Sequence, residues 1–382
     1  MTTAAPTQTE GQHGITAHSD GAGRVIPVQT RSERFSSYDV ADFPAVTGRE
    51  AVWKLSPVAQ FTDLTAGELD GSPTPITHDD VDGFSVEWIS RDDARVGSAG
   101  VPEERASANA WSSFDQALAI SVTGEESKTL RLERSGLGDG ARAAHTVITA
   151  APFSRGLIII ENAGDARLTE NVEIVVGEQA DVTVVTVQWW DDDAMHLASH
   201  FASIGRDAHL KHVVVSLGGK VVRVNPTLHL AGQGSDLDSL GVYFSDAGQH
   251  LEQQVYMHHD APNTRGRVTY KGALQGEGAR SVWIGDVLIS NRADSVPNLE
   301  IETGDIAGAG HASATGRFDD EQLFYLQARG IPEDEARRLV VRGFLVEIIQ
   351  QIGDTELQER LSVAIEAELL GADGQGTGGA QH

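Results

Sequence analysis

The chain contains no cysteine among its 382 residues. That absence excludes disulfides, thiolate-bound zinc and a cysteine nucleophile. Basic residues are also scarce: 29 Lys and Arg stand against 56 Asp and Glu, a formal net charge of −27. A surface this acidic repels phosphate and anionic lipid, which argues against a nucleic-acid partner and against membrane attachment. It is also what a well-solvated cytoplasmic surface looks like. Long apolar runs are missing. Leu157–Ile160 is among the strongest and is far too short to span a bilayer. The N-terminal MTTAAPTQTEGQHG has no basic stretch followed by an apolar one, so no signal peptide is expected and the cytoplasm is the expected location. Phosphate-binding motifs are missing too. There is no GxxxxGK[ST], no GxGxxG opening a helix, and Gly304–Gly310 lacks the lysine. The chain itself is therefore not expected to bind ATP. No G-x-S-x-G elbow is present either.

What is there is strand after strand. Between residues 81 and 318, segments such as HTVIT, LIIIE, VEIVV, VTVVTVQW, HVVVSL and VTYKGAL follow one another, rich in Val and Ile. Short turns separate them, among them Gln179-Ala180-Asp181, Gly205-Arg206-Asp207 and Gly232-Gln233-Gly234-Ser235. No helix of convincing length is expected inside this region. Such a pattern means a sandwich, a barrel or a solenoid. Irregular turn spacing establishes no repeat. Two features favour parallel stacking: continuously β-branched strands, which need cover on both faces, and a scarcity of Asn-Gly hairpins. On either side lie other textures. Residues 1–30 read as a disordered arm and 371–382 as a disordered tail. Residues 31–80 read as a compact, mostly helical or irregular segment anchored by Phe35, Tyr38, Phe43 and Trp53. From Asp319 the period changes to helical. One helix runs to Gln327 and stops at Gly330, a second runs from Pro332 to about Ile352, and a third is capped by Asp354 and ends near Leu369.

Three places could carry chemistry. His311 lies in GAGHASATG, where small neighbours leave the imidazole uncovered. It could bind iron or zinc, but spacing alone reads it as a polar loop histidine. Trp189-Trp190-Asp191-Asp192-Asp193 precedes His196 and His200, which would share a face at metal-binding spacing if helical. The preceding strand favours a solvated turn instead. His258-His259-Asp260 ends a strand, so one imidazole faces in and the other out. No role is assigned to it.

The segment PNLEIETGDIAGAGHASATGRFDDEQLFYLQARGIPEDEARRLVVRGF, residues 297–344, closely resembles the C-terminal signature of the SufB/SufD family, scaffold subunits of iron–sulfur cluster assembly. The stretch GHASATGRFDDEQLFYLQARGI is long and compositionally mixed, hence specific. The likeness extends over about residues 31–369. It lies closer to SufD than to SufB, because SufB proteins carry cysteines. The resemblance implies a right-handed parallel β-helix with helical segments at both ends. It implies a non-catalytic scaffold that pairs with a SufB-like subunit, docks a SufC-like ABC ATPase and passes a nascent cluster to iron–sulfur acceptor proteins. It places His311 at the family's functional histidine, as a ligand for a transient cluster or iron at the SufB interface. Partner contacts are expected at Leu299 and Ile301 on the last strand and at Leu339, Phe344 and Val346 on the second C-terminal helix. In isolation, pairing of the chain with itself as a homodimer is the alternative association. One departure stands out: only residues 290–296 join SVWIGDVLI to PNLEIE, shorter than the family's usual connection. The rival readings are a β-solenoid carbohydrate-active enzyme or glycan-binding protein, with Trp189, Trp190 and the Asp run as its residues, and a plain structural module.

Overall fold

The computed structural model describes residues 34–290, 293–302 and 320–371, together with two short strands, β1 (His18–Ser19) and β2 (Val25–Ile26). Those two strands pair antiparallel within the unit Met1–Phe35. The rest of the arm read at 1–30 and the tail from 372 lie outside the described residues. The second unit is Ser36–His382.

That unit begins with two turns of 3-10 helix and the short helix α1 (Thr62–Ala66), then strands β3 (Ile76–His78) and β4 (Phe84–Ser90). A nine-residue helix, α2 (Arg105–Ser113), follows, and then β5 (Gln116–Val122) and β6 (Thr129–Arg134). Twelve longer strands come next: β7 (Ala141–Ala150), β8 (Arg155–Gly164), β9 (Arg167–Val176), β10 (Asp181–Trp190), β11 (Met195–Ile204), β12 (His209–Ser216), β13 (Val221–Leu230), β14 (Asp236–Ser245), β15 (His250–His259), β16 (Thr264–Leu274), β17 (Arg280–Ile289) and β18 (Ala293–Glu302). Helices α3 (Asp320–Ala328), α4 (Glu333–Ile349) and α5 (Thr355–Gly371) close the chain.

Successive strands alternate between two eight-stranded sheets. One has the order β18-β16-β14-β12-β10-β8-β6-β3, the other β17-β15-β13-β11-β9-β7-β5-β4. All pairings are parallel except the first of each sheet, β3 with β6 and β4 with β5. This is a parallel β-solenoid. Its coils have unequal lengths: Asp181 pairs with Arg155, 26 residues back, while His250 pairs with Arg280, 30 residues on. A drifting repeat explains why the sequence displays no fixed period. The alternation runs unbroken from β17 to β18, so the short 290–296 connection fits a regular coil.

One corner of the solenoid is a stack of left-handed residues. Phe153, Gln179, Asp207, Gly234 and Asn263 all have φ between 53° and 74°. The amide of each of the first four donates to a carbonyl in the next coil: Phe153 to Glu178, Gln179 to Arg206, Asp207 to Gln233, Gly234 to Pro262. These inter-coil bonds offset the cost of placing a side chain at positive φ.

Parity sorts the side chains. In β10, Val182, Val184 and Trp190 point into the solenoid, while Val185 and Val187 point out beneath α4 and α5. Both faces are buried, as continuous β-branched runs require. The second sheet is covered on its outside by the N-terminal segment, where Trp53, Phe61, Leu64 and Ala106 meet Met195, Leu197 and Val221. Inside, aromatic rings rest on glycines of the adjacent coil. Tyr243 is in register with Gly272 and Tyr270 with Gly241, and a Cβ at either glycine would stand about 2 Å from the ring. Helix α2 is the correction to the expectation of an uninterrupted strand region. Ala106, Ala108 and Ala110 are buried, and Ser107 and Asn109 bond to Asn171 and to the Leu64 carbonyl.

Candidate functional site

The C-terminal end of the solenoid carries the residues singled out from the sequence. His311 lies outside the described residues. Leu299 and Ile301 stand on β18 in register with Tyr270 and Gly272, and β18 is the last strand of its sheet. Among the described residues its other edge pairs with no strand, leaving a row of backbone donors and acceptors open. On α4, Leu345, Ile348 and Ile349 are buried against the solenoid together with Ile352. Phe344 leans on the same cluster, with Lys271 Nζ 4.7 Å from its ring centre. Leu339 is exposed and Val346 half-buried; neither belongs to a core cluster. Phe324 and Tyr325 on α3 are also exposed. The caps read from the sequence are present: Asp354 Oδ1 accepts from the Leu357 amide, and Gly330 has φ +88°.

The solenoid interior holds a polar set that the sequence reading missed. Arg134 Nη1 donates to Glu170 Oε2 at 2.8 Å and reaches Asn162 Oδ1 at 3.3 Å. His196 Nε2 lies 2.9 Å from Glu170 Oε1 and its Nδ1 accepts from Trp190 Nε1 at 3.1 Å. Asn162 donates to Gln188 Oε1 at 3.0 Å. Four residues further along β11, His200 Nδ1 lies 2.9 Å from His212 Nε2. All these side chains are almost fully buried. Burial opposes ionisation of Glu170, yet Arg134 and His196 outweigh it and hold the carboxyl well below the usual range. Burial pushes His200 down to about 4 and His212 well below its ordinary value, so both are neutral at pH 7. Chemically the set holds an ionised carboxylate away from solvent, with Arg134 and His196 each supplying a donor to it. Its sequence signal is parity: Glu170, Gln188, His196 and His200 all fall on inward positions of strands whose inner faces are mostly apolar. His196 and His200 do share a face, but on a strand rather than a helix.

Trp189 and Trp190 form no common platform. Trp190 is inside the solenoid; Trp189 is outside, donating to Glu161 Oε2 at 2.8 Å under the Arg360 guanidinium. The Asp191–Asp193 turn is exposed. The carbohydrate-active reading thus loses its residues.

A third feature is a histidine whose charge is held into the alkaline range. The Asp181 carboxylate, 2.9 Å from His209 Nδ1, raises that imidazole to about 9, with Asp238 adding to it and burial opposing. A raised folded pKa gives stability that is full below the unfolded value near 6.5 and lost as pH climbs through about 9. His209→Gln is therefore expected to lower the melting temperature at pH 6 more than at pH 9.5. A melting profile across that range checks it, and equal losses at both ends would refute the assignment.

The comparisons place this geometry. The family described as "SUF system FeS cluster assembly, SufBD core domain" matches residues 133–344, from β6 through most of α4. An "Iron-sulfur cluster assembly SufBD family protein" of Mycobacterium bovis is 43% identical over 93% of this chain and 96% of its own length. A protein so named from Mycobacterium leprae is 40% identical over 93% and 98%. Another, from Mycobacterium tuberculosis, matches at 31% over 53% of this chain and only 26% of its own length. The resemblance first visible in residues 297–344 thus extends through the whole solenoid, and the chain belongs to the SufBD family of iron–sulfur cluster assembly proteins.

Proposed function

We propose that this chain is the SufD-type scaffold subunit of a cytoplasmic SUF complex, which pairs with a SufB-like subunit, docks a SufC-like ATPase and performs no turnover alone. One observation carries the reading: a SufBD-family chain without a single cysteine. Iron–sulfur clusters are held chiefly by thiolates, and this chain has none to offer as ligand or sulfur carrier. The thiolates must then come from a partner. The edge of β18, unpaired among the described residues, supports pairing by strand addition, the mode in which backbone bonds supply affinity. The exposed apolar residues of α3 and α4 support docking of a second partner. His311 would add an imidazole nitrogen to the cargo, a nascent cluster later handed to acceptor proteins. No described helix is long and apolar enough to cross a membrane.

Co-expression with the genes flanking its own tests the assembly. An ABC-type ATPase and a cysteine-bearing SufBD relative should co-purify with the chain; recovery of the chain alone would refute the scaffold reading. Within that complex, His311→Ala should leave the circular dichroism of the chain unchanged and lower cluster yield about tenfold or more. Normal yield would return His311 to a loop histidine without a ligand.

A further inference from the structure

We propose that His229, His258 and Asp260 form a binding site for a divalent first-row transition metal ion on the outer face of the second sheet. The proposal is independent of the scaffold reading. His229 on β13 and His258 on β15 are partners in the parallel register, so their rings stand on adjacent coils, 5.3 Å apart between centres. Asp260 follows β15 and turns back over the pair. Its Oδ2 lies 2.8 Å from His229 Nδ1 and its Oδ1 lies 2.8 Å from His258 Nδ1. One ligand atom from each of the three residues falls within 4.8 Å of the others. In a coordination sphere with bonds near 2.0–2.2 Å, neighbouring donors stand roughly 3 Å apart, and the two spacings between Asp260 and the histidines already match that.

The surroundings fix the donors from outside. The Asp260 amide donates to the Leu230 carbonyl at 3.2 Å, which anchors the turn to the end of β13. His258 Nε2 lies 2.8 Å from Ser290 Oγ. With that nitrogen carrying the proton, Nδ1 presents a lone pair toward Asp260, the outer-shell arrangement common to metal-bound histidines. The three side chains are 33%, 17% and 34% exposed, enough for an ion to enter and for water to complete the sphere. Two imidazoles and one carboxylate form a mixed nitrogen–oxygen set. That set suits Zn2+, Fe2+ or Co2+, and it disfavours Mg2+ and Ca2+, which take oxygen.

The test titrates full-length chain with Co2+ and with Zn2+ at fixed pH, in wild type and in His311→Ala. The expected result in both is one tight equivalent with visible Co2+ absorption, and a melting temperature raised by Zn2+. His229→Gln with His258→Gln should abolish the absorption and the thermal shift. Asp260→Asn, which keeps shape, should weaken affinity at least about tenfold, and Ser290→Ala should weaken it without loss of stoichiometry. Unchanged absorption in Asp260→Asn and in the folded double variant would overturn the proposal, as would a wild type with no absorption. If the double variant does not fold, the isosteric Asp260→Asn decides alone. Loss of the signal in His311→Ala would place the ion elsewhere and overturn it as well.

Discussion

Arg134→Ala is expected to lower the unfolding free energy by about 3–5 kcal/mol at pH 7, the cost of removing one partner of a buried ion pair. The Arg134 and Glu170 side chains are only 3% and 4% exposed. With Arg134 gone, Glu170 keeps an ionised carboxyl inside the solenoid with imidazole His196 as its remaining close partner. The alternative to that charge is uptake of a proton. In wild type the folded carboxyl titrates well below its unfolded value of about 4.3. Its contribution is thus present above that pH and lost as pH falls. The variant lacks the contribution, so the gap between the two proteins should hold from pH 7 down to about pH 5 and narrow only as pH falls below about 4.3. Urea unfolding at several pH values measures it. Pairing Arg134→Met with Glu170→Leu should recover much of the loss, because an apolar pair of similar volume avoids the desolvation cost. A variant as stable as wild type at pH 7, or a gap that widens in acid, would show that the pair contributes little.

Much of the architecture was legible because it rests on local chemistry. Continuous Val and Ile runs demanded burial on both faces, and both faces proved covered, by α4 and α5 on one sheet and by the N-terminal segment on the other. Asp354 and Gly330 marked helix ends because a cap needs only its own neighbours. What stayed hidden depends on register between coils. His229 and His258 are 29 residues apart, and only the stacking of β13 on β15 joins them; from sequence, His258 and Asp260 appeared with the wrong third member, His259, which points inward to Thr264. The interior set was invisible for the same reason. Glu170 and Gln188 look like surface residues until strand parity turns them inward. Helix α2 was missed because it is only nine residues long and a third of them are Ser, a weak helix former, and tertiary packing of its three alanines decides it. The left-handed corner was hidden behind Phe153 and Gln179, residues that do not advertise positive φ.

Helix α4 sets up the second large effect, because adjacent positions on it should respond in opposite ways. Ile348 is fully buried among Val213, Val215, Leu240 and their neighbours on the solenoid's outer face. Ile348→Asp places an unpaired charge there and should cost several kcal/mol, detaching the C-terminal helices and collapsing the melt. Two residues earlier, Val346 is half-buried and outside every core cluster. It lies on one stripe with exposed Leu339 and with Gly343, beyond whose missing Cβ there is open space within 4 Å. A stripe of two apolar residues flanking a glycine lets another surface approach the backbone closely. On the proposed reading, that surface belongs to the ATPase. Val346→Asp should then cost the isolated chain no more than about 1 kcal/mol while weakening ATPase co-purification about 30-fold or more, the scale of a charge placed in an interface core. Val363→Asp, on an exposed position of α5, serves as the control and should change neither. Differential scanning calorimetry of each variant, paired with pull-down of the ATPase, separates the cases. A collapsed melt for Val346→Asp would assign this face to the core. An intact melt with undiminished co-purification would send the ATPase contact elsewhere on the chain.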